Sequence, residues 1–174
     1  MAGHSKWAKL KHTKGKTDAQ KSKLFSKLVR FVSVEAKKSK GDRSAPGLRA
    51  AIDKARAANM PADNIDRAIE KASTSGELEQ VVYEAYGPGG VALVIEGYTD
   101  SRNRTAQEIK HLLGEHGVQL ANPGAASWAF QKGEQGLEPQ TTVELSDEDG
   151  TKLSELVDAL EDHDDVSEVY TNAA

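Results

Sequence analysis

A change of hydrophobic rhythm at about Gly76 constrains this chain more than any other feature. Upstream, apolar residues recur at three- and four-residue intervals; downstream, β-branched and aromatic residues gather in short runs separated by turn signals. Two rhythms in series require a helical part followed by a part built on a sheet. From Thr17 or Asp18, either of which can cap a helix, Leu24, Phe25, Leu28, Phe31 and Val32 fall on one stripe. Lys21, Lys23, Lys27 and Arg30 lie largely away from it, giving a greasy face and a cationic face. "KSKGDRSAPG" (38–47) ends this helix, and a second follows with Leu48, Ala51, Ile52 and Ala55 on its inner side. Pro61 prevents continuation past Asn59 and Met60 and suits the first turn of a third helix carrying Ile65, Ala68 and Ile69.

Beyond Gly76, "VVYEAY" and "GVALVIEGYT" read as strands joined through "GPGG" as a hairpin. Asp100 or Ser101 then caps a helix with Ile109, Leu112, Leu113 and His116 at helical spacing, and Gly117 stops it. "ASWAF" (126–130) reads as a third strand and "TTVEL" (141–145) as a fourth. A helix from about Asp147 buries Leu153, Leu156, Val157 and Leu160, and "VSEVYT" (166–171) closes as the last strand. The expected fold class is α+β: a basic arm and a three-helix domain over 1–76, then a ferredoxin-like β-β-α-β-β-α-β domain over 77–174 with its helices on one face of an antiparallel sheet.

The 174 residues contain no cysteine, which removes disulfides, thiolate metal sites and a Cys nucleophile. No apolar run approaches the ~20 residues of a membrane helix. Residues 1–23 offer only isolated Trp7 and Leu10 where a secretory signal needs an apolar block, and Lys dominates where a mitochondrial presequence favours Arg. A cytoplasmic location is expected.

Charge is distributed unevenly. Residues 1–43 hold 13 Lys+Arg against 3 Asp+Glu, leaving 10 against 24 for the remainder. A basic block of this kind is the electrostatic footprint of an anion-binding region even in a chain whose net charge is -4. In the arm, Lys6, Lys9, Lys11, Lys14 and Lys16 interleave with Trp7 and His12, whose flat rings can stack on unpaired bases. About six phosphate contacts already make affinity steeply salt-dependent. Lys21, Lys23, Lys27 and Arg30 extend the same surface along the first helix.

Catalytic patterns are missing. His111 and His116 are five apart, not the three or four that place two zinc ligands on one helix face. The expectation is a solvent-facing His111 and a helix-end His116. "GPGG" lacks the Gly-Lys-Ser/Thr helix entry of a phosphate loop, and "EDHDD" (161–165) lacks the spacing of a calcium loop and reads as a solvated turn. No metal, cofactor, small-molecule substrate or enzymatic activity is expected. In "DSRNR" (100–104), Arg102 and Arg104 stand in the first turn of a helix, where the dipole disfavours cations. Two readings are open there: an RNA-phosphate contact, or pairing with carboxylates such as Glu108.

Four stretches together resemble the YebC family, to which the mitochondrial translational activator of cytochrome c oxidase also belongs. They are "MAGHSKWAKLKH", "LRAAIDKARAANMPADNIDRAI" (48–69), "YEAYGPGGVALVIE" (83–96) and "TDSRNRTAQEIKHLLGEHG" (99–117), followed by "SWAF". The resemblance implies Gly3, His4, Ser5, Lys6, Trp7, Lys11 and His12 in the arm, Asn59, Met60 and Pro61 at the helix junction, and Arg102, Asn103 and Arg104 as motif positions. It implies cytoplasmic regulation of gene expression without an enzyme activity or cofactor, members being described as DNA-binding transcriptional regulators and as factors acting on ribosomes stalled in proline-rich synthesis. Members usually carry an inserted domain where this chain has only "QKGEQGLEPQ" (131–140), expected here to be a short linker. The expected partner is ribosomal or transfer RNA, the ribosome itself, or duplex DNA, with no membrane. The absence of an Arg/Asn/Gln base-reading helix leans the physical reading to RNA. The rival is a protein-interaction module whose lysines only solubilise it.

Overall fold

The computed structural model describes residues 18–72, 78–134 and 136–174, and the expectations placed on the arm, Lys6 to Lys16 with Trp7 and His12, lie outside them. The chain forms two compact units: a helical one through Glu79, joined by Tyr98–Asp100, and an α+β one from Gln80–Gly97 and Ser101–Ala174.

The helical unit consists of α1 (Asp18–Lys38), α2 (Pro46–Ala57) and α3 (Ala62–Lys71). Leu28 and Val32 of α1, Leu48, Ala51, Ile52 and Ala55 of α2, and Ile65 and Ala68 of α3 form its core, with Leu24, Phe25 and Phe31 packed against it. Each of the first two helices ends by the same device. After α1, Lys40 takes a left-handed φ of 54° and the Gly41 amide donates to the Ala36 carbonyl at 2.8 Å. After α2, Asn59 takes φ 62° while the amides of Asn59 and Met60 donate to the carbonyls of Arg56 and Ala55. This is the Schellman arrangement, completed by the apolar residue that follows: Met60 is buried in the same core as Ala55. Pro61 precedes α3 by one residue, so it terminates one helix approach and sets the backbone for the next.

The α+β unit contains β1 (Glu79–Tyr86), β2 (Ala92–Thr99), α4 (Arg102–Glu115), β3 (Leu120–Ala121), β4 (Phe130–Gly133), β5 (Gly136–Pro139), α5 (Asp147–Glu161) and β6 (Val166–Thr171). The main sheet has the order β3-β1-β2-β6. Its turn at 88–90 needs Gly89 and Gly90 at φ 71° and 82°, which explains the "GPGG" spelling. Helix α4 is capped by Ser101, whose hydroxyl accepts from the Arg104 amide, and is stopped at Gly117 with φ 71°. Ile109, Leu113, Leu153, Leu156, Val157 and Leu160 cover one sheet face, as the sequence periodicity predicts.

The other face carries Ala92 and Val94 beneath Ala126, Ala129 and Phe130. Strand β2 is therefore buried on both sides, which its near-continuous apolar run anticipates. Two strand expectations are corrected. "ASWAF" contributes a 3-10 turn at Ser127–Ala129, with strand pairing only from Phe130 on, because the Ala126 and Ser127 amides are turned onto the Glu84 carboxylate. "TTVEL" supplies one isolated bridge, Val143 to Ala173. The span expected as a linker folds into the β4–β5 hairpin, paired from Phe130–Pro139 to Gly133–Gly136.

Candidate nucleic-acid interface

On α1, Lys21 and Lys23 are exposed while Lys27 and Arg30 are half-buried. The Arg30 guanidinium donates to the Tyr98 carbonyl at 3.5 Å, so part of its hydrogen-bonding capacity is used within the helical unit. Lys21 and Lys23 thus stand exposed on α1 while Leu28 and Val32 face the core.

The two arginines of α4 are placed differently. Arg102 donates to the Gln80 carbonyl at 3.4 Å, bracing the start of β1. Arg104 reaches Asp165 at 2.8 Å and lies 3.9 Å from Glu108. Asp165 is buried and also accepts from the Thr105 hydroxyl at 2.8 Å. The "EDHDD" stretch is therefore not merely a solvated turn: Asp165 points inward because a guanidinium and a hydroxyl wait for it. His163 joins the group, its Nδ1 accepting from the Asp165 amide at 3.1 Å and its Nε2 lying 2.8 Å from Glu108. The donor atoms of Glu108, His163 and Asp165 sit within 4.8 Å of one another, a spacing a metal ion could use. Arg104 already supplies positive charge there, and Nδ1 is occupied, so the donor set fits an ion-pair network that ties α4 to the α5–β6 turn. His111 lies on the exposed surface 3.4 Å from Glu115, and His116 is the C-terminal cap of α4.

Three further arrangements emerge from the fold. Glu84, on β1, is buried, and its carboxylate accepts from the amides of Gly124, Ala126 and Ser127, the last two at 3.0 and 2.6 Å. Burial alone would raise its pKa, but the three amide bonds outweigh it and hold the carboxyl below its ordinary value. The loop so pinned presents Trp128, 59% exposed, whose indole N–H lies 2.8 Å from the Tyr86 hydroxyl. On the helical unit, Arg43, Ser44, Arg49, Ile52, Asp53 and Arg56 line a shallow cavity of about 490 Å³. A sequence signal existed for this last feature: Arg49 and Arg56 are seven residues apart, two turns along one helix face.

Among the described residues no helix is long and apolar enough to cross a membrane. The described residues thus form a three-helix unit followed by an α+β unit built on an antiparallel sheet. The chain belongs to the TACO1/YebC family: the model of the TACO1/YebC N-terminal domain matches residues 5–75, and that of the second and third domain matches 78–135 and 132–173. Among curated relatives, a "Probable transcriptional regulatory protein" of Thermosipho africanus is 38% identical, covering 99% of this chain and 93% of its own. One from Petrotoga mobilis is 46% identical over 95% of this chain and 66% of its own. The Thermosipho alignment spans 237 positions against 174 residues here, so the relative carries residues that this chain lacks. A crystal structure of a conserved hypothetical protein from Aquifex aeolicus superposes with a TM-score of 0.83 at 32% identity, covering 98% of this chain and 97% of that one. These relatives bear regulatory, not catalytic, names, in keeping with a non-enzymatic protein.

Proposed function

We propose that this protein is a non-enzymatic, cytoplasmic regulator of gene expression that acts by binding nucleic acid through its basic arm and the cationic side of α1. The carrying observation is the separation of charge along the chain, 13 basic against 3 acidic residues over 1–43 and 10 against 24 thereafter. Such a distribution attracts a polyanion to one end while the acidic remainder discourages indiscriminate adsorption. The regulatory names of its relatives support the same reading. Ribosomal or transfer RNA is favoured over duplex DNA because the sequence offers no helix with an Arg/Asn/Gln base-reading pattern. The same reading takes the β4–β5 hairpin as the place where longer relatives carry their additional domain.

Ribosome co-sedimentation across a salt series, beside a duplex-DNA mobility shift, tests this. Pelleting with ribosomes at moderate salt and no duplex shift is the expected result. Changing Lys6, Lys9, Lys11 and Lys14 together to Glu should abolish pelleting; if both assays are indifferent to those four changes, the nucleic-acid reading fails.

A further inference from the structure

We infer that the groove lined by Arg43, Arg49 and Arg56 is a structured locus for the phosphodiester backbone of a nucleic acid, separate from the arm and from the lysines of α1. The inference rests on the nucleic-acid reading above and adds a second contact to it.

The first ground is composition. Three of the chain's seven arginines line this one groove, whereas the cations of residues 1–23 are lysines. Arginine's planar fork makes two parallel hydrogen bonds to a phosphate, which lysine's point charge cannot. The second is placement. Arg49 and Arg56 stand on one face of α2, seven residues or about 10.5 Å of helix rise apart, with the buried Ile52 as the apolar floor between them.

The third ground is how little of this charge is already spent. Arg49 has no ion pair among the described residues. The Arg56–Asp53 pair is at 4.0 Å with side chains 64% and 65% exposed, a separation and exposure at which the attraction is nearly cancelled by solvent. Arg43 differs: its guanidinium lies 2.6 Å from the Asp66 carboxylate, so its charge already has a partner. The groove therefore offers two available guanidinium groups beside a third that is paired with Asp66. Glu35 occupies the start of α2, where its carboxylate crowds the space over Gly47, so the anion site is the arginine face and not the helix end.

The test uses the full chain and two fluorescein-labelled oligonucleotides of one sequence, a single-stranded RNA and a duplex DNA, with anisotropy measured across a salt series. The double variant Arg49→Gln/Arg56→Gln keeps helix propensity and removes both charges. It should lose roughly tenfold or more in affinity at low salt, and the slope of log affinity against log salt should become shallower by about 1.4 on the RNA or about 1.8 on the duplex. A charge-matched control, Lys110→Gln/Lys132→Gln on the α+β unit, should leave the slope as it is, and unchanged far-ultraviolet circular dichroism verifies the helices. If the wild type binds but the arginine variant keeps its slope, or if the control shifts it equally, the groove is not a phosphate site, while the nucleic-acid reading stands. If the wild type binds neither oligonucleotide at any salt, both inferences are overturned.

Discussion

At the scale of single residues, Glu84 shows how a charged side chain organises a loop. Its carboxylate takes three backbone amides from 124–127, satisfying donors that no strand ladder reaches. Glu84→Gln presents one acceptor oxygen instead of two and loses the charge, so it should destabilise the protein by about 1–3 kcal/mol at neutral pH in denaturant titration. The sign of the pH dependence follows from the lowered pKa. A carboxyl held below its ordinary value of 4.5 contributes stability above that value and loses it as the pH falls through its folded pKa. The gap between wild type and variant should therefore narrow on acidification below about pH 4.5; a gap that is constant with pH would mean the charge is irrelevant. Arg104 carries a related lesson, since its partner Asp165 is 61 positions away and no local pattern pairs them.

At the scale of elements, most helices were legible and some strands were not. The stripes on α1, α2, α4 and α5 predict the buried residues because a helix of that length fixes its inner face by periodicity alone. "ASWAF" misleads because its apolar residues are buried by covering β2, not by pairing beside it, and a short apolar run does not distinguish the two. "TTVEL" alternates like a strand yet finds only one bridge to the chain's last residues. The uneven charge was legible in the sequence and the Arg49–Arg56 spacing hinted at the arginine groove, but its third member, Arg43, joins only when its turn folds against α2. The helix ends offer an element-scale prediction. Lys40 occupies the left-handed position that closes α1, where its Cβ is unfavourable. Lys40→Gly should raise stability by about 0.5–1 kcal/mol, read as an increase in Tm with unchanged helix content.

At the scale of the whole molecule, charge is divided along the chain: 13 of the 23 basic residues precede residue 44, whereas 24 of the 27 acidic ones follow it. Binding carried by about six phosphate contacts should weaken by some three orders of magnitude between 50 and 200 mM salt, readable in the same co-sedimentation series. The base of the β4–β5 hairpin bears on how such a chain can diversify. The Gln140 amide donates to the Ala129 carbonyl at 2.7 Å and its side-chain amide to the Phe130 carbonyl at 2.7 Å, so the strands are clasped where they leave the body of the unit. Leu137 packs the body of the hairpin onto the core beneath Phe130, so the place open to added length is the turn beyond Gly133. The clasp works as a socket: a reporter peptide or a whole folded module could be spliced in at the hairpin tip while the sheet below keeps its register.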